Sequence, residues 1–138
     1  MEDSLSTALL QLLAVALLVG ANGFFVAAEF SLVSVRRTRI AELVASGNTS
    51  AEAVQKAISN PDRVIAATQL GITIASLGLG WIGEPALSHW LYPVVRLFPG
   101  DIQVDVSHSI AAGLSFAIIT FLHVVVGELA PKSIALQD

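Results

Sequence analysis

Gly127-Glu128-Leu129-Ala130-Pro131-Lys132 closes a run, Val106 to Gly127, that contains no Asp, Glu, Lys or Arg. As a helix that run is long enough to cross the roughly 30 Å hydrocarbon core of a bilayer. An acid at its end is a functional candidate, because an ionised side chain at membrane depth costs roughly 2.5 to 3.5 kcal/mol even on lenient insertion scales. Pro131 has no N–H to give to the carbonyl of Gly127, four residues earlier, and a carbonyl oxygen left without that bond suits a hard cation. A plainer reading of the same stretch is a helix ending at the membrane surface, with Glu128 and Lys132 as an ordinary i,i+4 pair.

Composition takes the choice of class away from the solvated domains. Residues of the apolar set make up 54% of the chain and charged ones 13%, with a mean hydropathy of +0.75, so the chain reads as an all-α integral membrane domain. There is no cysteine, which excludes disulfides, thiolate metal sites and cysteine catalysis. The net charge of -4 arises from scattered acids and offers no basic stripe for nucleic acid. No nucleophile, base and orienter occur together in a pattern that suggests an enzyme.

Upstream, the only charge between Leu5 and Val35 is Glu29. A helix over 5–35 is about 46 Å long, more than the hydrocarbon thickness, and must tilt or project. Its acidic start, Glu2 and Asp3, and its length argue for a retained span rather than a signal peptide. Five of the seven basic residues follow between spans: Arg36, Arg37, Arg39, Lys56 and Arg63. The positive-inside rule makes that loop cytoplasmic and the N-terminus external, with the C-terminus inside after three crossings. Within residues 36–60 the spacing of Ile40, Leu43 and Val44, a stop at Gly47 and a Thr49/Glu52 capping box predict two short amphipathic juxtamembrane helices.

Asn60-Pro61-Asp62 supplies a helix start, and 64–83 forms the second span, ended by Glu84-Pro85. Residues 84–105, with Trp90, Tyr92 and Arg96, read with Trp81 as an outer interfacial segment. Asp105 or Ser107 then caps a third span over 107–128. Small residues recur every four positions at Gly23, Ala27 and Ser31 and at Ala67, Gly71 and Ala75, faces on which a second copy of the chain can pack.

Polar groups inside the spans gather on the cytoplasmic half. Gln69, Thr73 and Ser76 share one face of the second helix. Glu29, with Asn22 one heptad further out, lies on the first, as do Ser31 and Ser34 on another face. Each admits a structural reading: serines and threonines bond back to their own helix, Glu29 pairs with Arg36 or Lys132, and Asn22 and His123 join helices. Taken together, two intramembrane acids, an oxygen ladder and a freed carbonyl point to Mg²⁺, Ca²⁺ or Na⁺ rather than to zinc or copper.

Three separated motifs, Asn22-Gly23-Phe24-Phe25-Val26-Ala27-Ala28-Glu29-Phe30-Ser31-Leu32-Val33-Ser34, Gln69-Leu70-Gly71-Ile72-Thr73 and Gly127-Glu128-Leu129-Ala130-Pro131-Lys132, resemble the transmembrane domain of the CorC and cyclin M family of magnesium transporters. The resemblance implies a homodimer of three-span subunits in the cell membrane. Such proteins are expected to export Mg²⁺, with Na⁺ as the coupling ion, or in a rival reading to sense Mg²⁺ without moving it. It also implies a cytoplasmic CBS pair and a terminal domain beyond Lys132. Ion ligands are implied at Ser31 or Ser34, at Gln69, Thr73 and Ser76, and at Gly127 with Glu128, with Asn22, Glu29, Pro131 and Lys132 as further transport candidates. Val26, where the family often has serine, and Ile72 and Ser76, either of which stands where it often has asparagine, depart from the pattern.

Overall fold

The computed structural model describes residues 2–97 and 104–137. These residues form helices and short connections, with no strand among them. Helix α1 runs from Glu2 to Ser34, α2 from Arg37 to Ala45 and α3 from Thr49 to Ile58. Helix α4 spans Pro61–Gly78 and passes through a π turn, Leu79–Gly83, into α5, Glu84–Val95. Helix α6, Val104–Val124, passes through a second π turn, Val125–Leu129, into α7, Ala130–Leu136. Three stretches are long and apolar enough to cross a membrane: Ser4–Ser34, Pro61–Val95 and Val106–Leu136.

The distribution of side chains is that of a protein whose solvent is lipid. Large apolar residues face outward, among them Leu9, Leu13, Leu17, Phe24, Leu70, Ile74, Leu77, Phe116 and Phe121. The buried positions are mostly small or polar: Ala8, Ala75, Ala86, Ala111, Asn22, Thr68, Ser107 and Ser115. In hydrocarbon there is no gain from hiding leucine, so helices associate by close packing and interhelical hydrogen bonds. One compact apolar cluster joins the three spans, formed by Val15, Leu79 and Ile119 with Leu18, Val19 and Leu87 packed around it. Helix α1 packs against α4 and α7, and α5 lies along α6.

Two prolines expected to end helices do not. The turns before Pro85 and Pro131 widen to π geometry, and at the second the Ala130 N–H reaches the Val125 carbonyl. Widening a turn moves carbonyls away from a following pyrrolidine ring, so the helix continues where a regular α-turn would clash. The second span therefore runs past Glu84-Pro85 to Val95 and the third past Pro131 to Leu136. The segment expected to lie on the outer surface is, as far as Val95, a helix packed on α6. There Tyr92 stacks on His108 at 4.0 Å between centroids, with the Arg96 guanidinium 5.9 Å from the Tyr92 ring centroid. The rest of that expectation, at residues 98–103, lies outside the described residues.

Local signals fared unevenly. Gly47 stops α2 with φ of 87°, a conformation that a residue with a Cβ avoids. The cap of α3 is Asn48, whose side chain accepts from the Ala51 N–H at 3.0 Å; Thr49 is the first helical residue instead of the cap. Asn60 occupies the cap position of α4 without a side-chain capping bond. Helix α6 is already under way at Val104, so Asp105 and Ser107 lie within it rather than capping it. The small-residue faces are used inside the subunit: a Cβ on Gly71 would stand 2.6 Å from the Phe25 ring, and one on Gly23 would stand 3.1 Å from Pro131 Cγ.

Candidate cation site

Asn22, Val26, Glu29 and Phe30 follow one another at i, i+4, i+7 and i+8, so a single face of α1 presents them all. That face meets α4 on one side and the second π turn with α7 on the other. Two groups of polar side chains result. In the first, Glu29 Oε2 accepts from Thr68 Oγ1 at 3.0 Å and from Gln69 Nε2 at 3.4 Å. The Thr68 hydroxyl also lies within reach of the Val64 and Ile65 carbonyls. It has one proton to give, and an ionised carboxylate is the stronger acceptor.

The second group forms around the π turn. Asn22, completely buried, donates from Nδ2 to the Gly127 carbonyl at 2.9 Å. The carbonyl that Pro131 leaves without an α-helical partner is therefore held by α1. Since Gly127 O only accepts, the Asn22 amide is oriented by this bond, which leaves Oδ1 buried with no hydrogen-bond partner. His123 Nε2 lies 3.0 Å from Ser76 Oγ and 3.5 Å from Glu128 Oε1. His123 thus connects the second span to the acid of the third.

The two groups meet at a pocket of about 280 Å³ lined by Val26, Glu29, Phe30, Gln69, Ile72, Glu128, Leu129 and Lys132. Glu29 and Glu128 are both on its wall. Lys132 also lines it, but its Nζ sits 4.9 Å from the Phe30 ring centroid. Neither a Glu128–Lys132 pair nor a pairing of Glu29 with Arg36 or Lys132 is among the described ion pairs, which are Arg39–Glu42 and His123–Glu128. No cluster of three or more His, Asp or Glu is present among the described residues. The oxygen-bearing side chains on the pocket wall are two carboxylates and the Gln69 amide, with the Ser76 hydroxyl and Asn22 Oδ1 in the adjoining group.

The expected ligands divide accordingly. Gln69 and Glu128 line the pocket, as does Glu29, while Ser76, Gly127 and Asn22 stand in the adjoining group. Thr73 bonds back to the Gln69 carbonyl at 2.8 Å and Ser34 to the Phe30 carbonyl at 2.7 Å. Ser31 is exposed, and neither it nor Ser34 lines the pocket. Pro131 packs against Gly23. Sequence reasoning passed over Thr68, whose signal was available: it is one turn inward of Gly71 and beside Gln69 on the face turned toward Glu29.

Comparison with known proteins gives this arrangement its context. The profile of the cyclin M transmembrane N-terminal domain matches residues 12–138. The chain belongs to the cyclin M transmembrane family. Relatives of this cyclin M domain include the UPF0053 protein YugS of Bacillus subtilis, 46% identical over 129 residues that make up 94% of this chain and 30% of YugS. The UPF0053 protein YhdT of the same organism is 44% identical over 91% of this chain and 27% of its own length. An uncharacterized protein of Mycobacterium tuberculosis, Rv1841c, is 42% identical over 97% of this chain and 36% of its own. The chain thus spans about a third of the length of these relatives. No solved structure matches it. A cyclin M membrane domain with three spanning helices is consistent with a role in divalent-cation transport.

Proposed function

We propose that this domain carries Mg²⁺ across the cell membrane, exporting it in exchange for Na⁺. The observation that carries the reading is the pocket in which Glu29 of the first span and Glu128 of the third face Gln69 of the second. Mg²⁺ dehydrates reluctantly and is commonly bound by one or two carboxylates with several retained waters. At about 30 Å³ per water, a pocket of about 280 Å³ accommodates an ion with part of its hydration shell. Gln69 adds an amide oxygen, and Ser76 and the Asn22 Oδ1 supply further acceptors nearby.

The chain works in this reading as a homodimer with its N-terminus outside, its C-terminus inside and residues 36–63 in the cytoplasm, joined to a CBS pair in the full-length protein. The concentration of arginine and lysine in that loop supports the orientation. Glu128→Gln tests the site, since it keeps shape and removes charge. Mg²⁺ affinity by calorimetry should fall tenfold or more, about 1.4 kcal/mol, and Mg²⁺ flux into proteoliposomes should fall with it. Lys132→Gln should change affinity by less than about twofold, about 0.4 kcal/mol. Wild-type affinity in Glu128→Gln would remove this residue from the site, and binding without flux in the wild type would make the domain a sensor.

A further inference from the structure

The continuation of the second span past Pro85 leaves an acid to be explained. Glu84 lies within the apolar stretch Pro61–Val95, is half-buried, and has no ion pair among the described residues. At ~1.5 Å per residue it stands about 34 Å along the helix from Pro61, at the far edge of a ~30 Å hydrocarbon core. It lines a cleft of about 480 Å³ whose other polar walls are Ser76, Thr120 and His123. The cleft reaches from Ser76 to Glu84, about 12 Å along the helix.

Ser76 and His123 are also the residues that touch each other and, through His123, Glu128. The pocket holding Glu29 and Glu128 and the cleft holding Glu84 therefore lie on opposite sides of one short chain of contacts, Ser76 to His123 to Glu128. Each cavity has a carboxylate on its wall. The cleft has no lysine or arginine to neutralise Glu84, so its field attracts cations, and low-dielectric walls concentrate such a field. We propose that this cleft is the outer half of the cation route and that Glu84 is its cation-binding group at the mouth, holding the divalent ion as it rehydrates and leaves. This deepens the transport reading above and rests on it.

The absence of cysteine from the chain makes the test direct. Thr120→Cys should react, in intact cells, with both a cationic and a neutral membrane-impermeant thiosulfonate reagent, the cationic one faster. Adding Glu84→Gln should lower the ratio of cationic to neutral rates about fivefold or more, and Glu84→Asp should restore most of it. In proteoliposomes Glu84→Gln should reduce Mg²⁺ flux while leaving the calorimetric affinity governed by Glu128 within about twofold. A Thr120→Cys that reacts with neither reagent, a rate ratio unmoved by Glu84→Gln, or an unaltered flux would each overturn the proposal. Absence of Mg²⁺ flux in the wild type would instead strike the transport reading itself, and the reagent ratio would still decide whether Glu84 charges the cleft.

Discussion

Asn22 is the side chain on which the geometry of the second π turn depends, and its replacement has a calculable outcome. Asn22→Ala removes the 2.9 Å bond to Gly127 O and strips a fully buried position of its amide. Interhelical hydrogen bonds in membranes contribute about 0.6 kcal/mol on average and at most about 1.7. A carbonyl left buried and unpaired costs about 1 to 3 kcal/mol more, and Pro131 prevents the usual i+4 N–H from replacing the lost donor. Against this, the unpartnered Asn22 Oδ1 disappears as well, which recovers part of the penalty. The net expectation is a loss of about 2 kcal/mol. Asn22→Leu separates the hydrogen bond from packing: it is nearly isosteric with asparagine, but it has no donor for the Gly127 carbonyl. It should lose about as much stability as Asn22→Ala. Unfolding in mixed detergent micelles, followed by circular dichroism, gives both values. An Asn22→Leu protein as stable as wild type would refute the bond as the anchor of the turn, because leucine fills the position and has nothing to donate.

Gly71→Ala places a methyl where the Phe25 ring already stands, 2.6 Å from the new Cβ, and should destabilise the subunit by about 1 to 3 kcal/mol. Phe25→Leu should relieve part of that loss, giving a non-additive double-mutant cycle; strict additivity would place the strain elsewhere. Thr68→Val keeps the shape of a 7% exposed side chain and removes a donor to Glu29. It should weaken Mg²⁺ binding modestly, by about twofold to tenfold, through a less firmly held carboxylate, and unchanged calorimetry would make Thr68 a packing residue alone. For orientation, a cysteine at Asn48 should be protected from impermeant reagents in intact cells and exposed in inverted vesicles, and the reverse pattern would invert the topology.

What was legible in the sequence follows from how each signal arises. Three spans could be read because apolar length is additive over some twenty residues and tolerates local error. The juxtamembrane helices could be read because a glycine at φ of 87° and amphipathic spacing are local. The ends of the second and third spans could not, because a proline rule assumes α geometry, and a π turn is a compromise made with neighbours: Gly83 with Ile119 and Val15, Gly127 with Asn22. The same limit applies to the site. Glu29, Gln69 and Glu128 were visible as polar residues at similar depth, and depth is all a single helix reports. Whether a hydroxyl turns to a partner or back to its own helix is fixed by rotation and by who stands opposite, which is why Thr73 and Ser34 bond inward while Thr68, one turn away from Ile72, reaches Glu29.

The Gly127 carbonyl is satisfied by a group that the sequence reading sets on another span. Proline does remove its α-helical donor, and an oxygen without a donor in hydrocarbon must be satisfied by something. The sequence suggested a cation; the structure supplies Asn22. Yet the amide that satisfies one oxygen brings another, Oδ1, to the same buried place without a partner. The deficit has been moved from the backbone to a side chain, beside His123 and one residue from Glu128. Held by its Nδ2 bond, the amide keeps Oδ1 in a fixed place as an acceptor that can meet an ion without the loss of a backbone hydrogen bond. The π turn and its asparagine thus fix the backbone of the third span and leave a buried acceptor next to the acid, the acceptor on which the proposed cation site would draw.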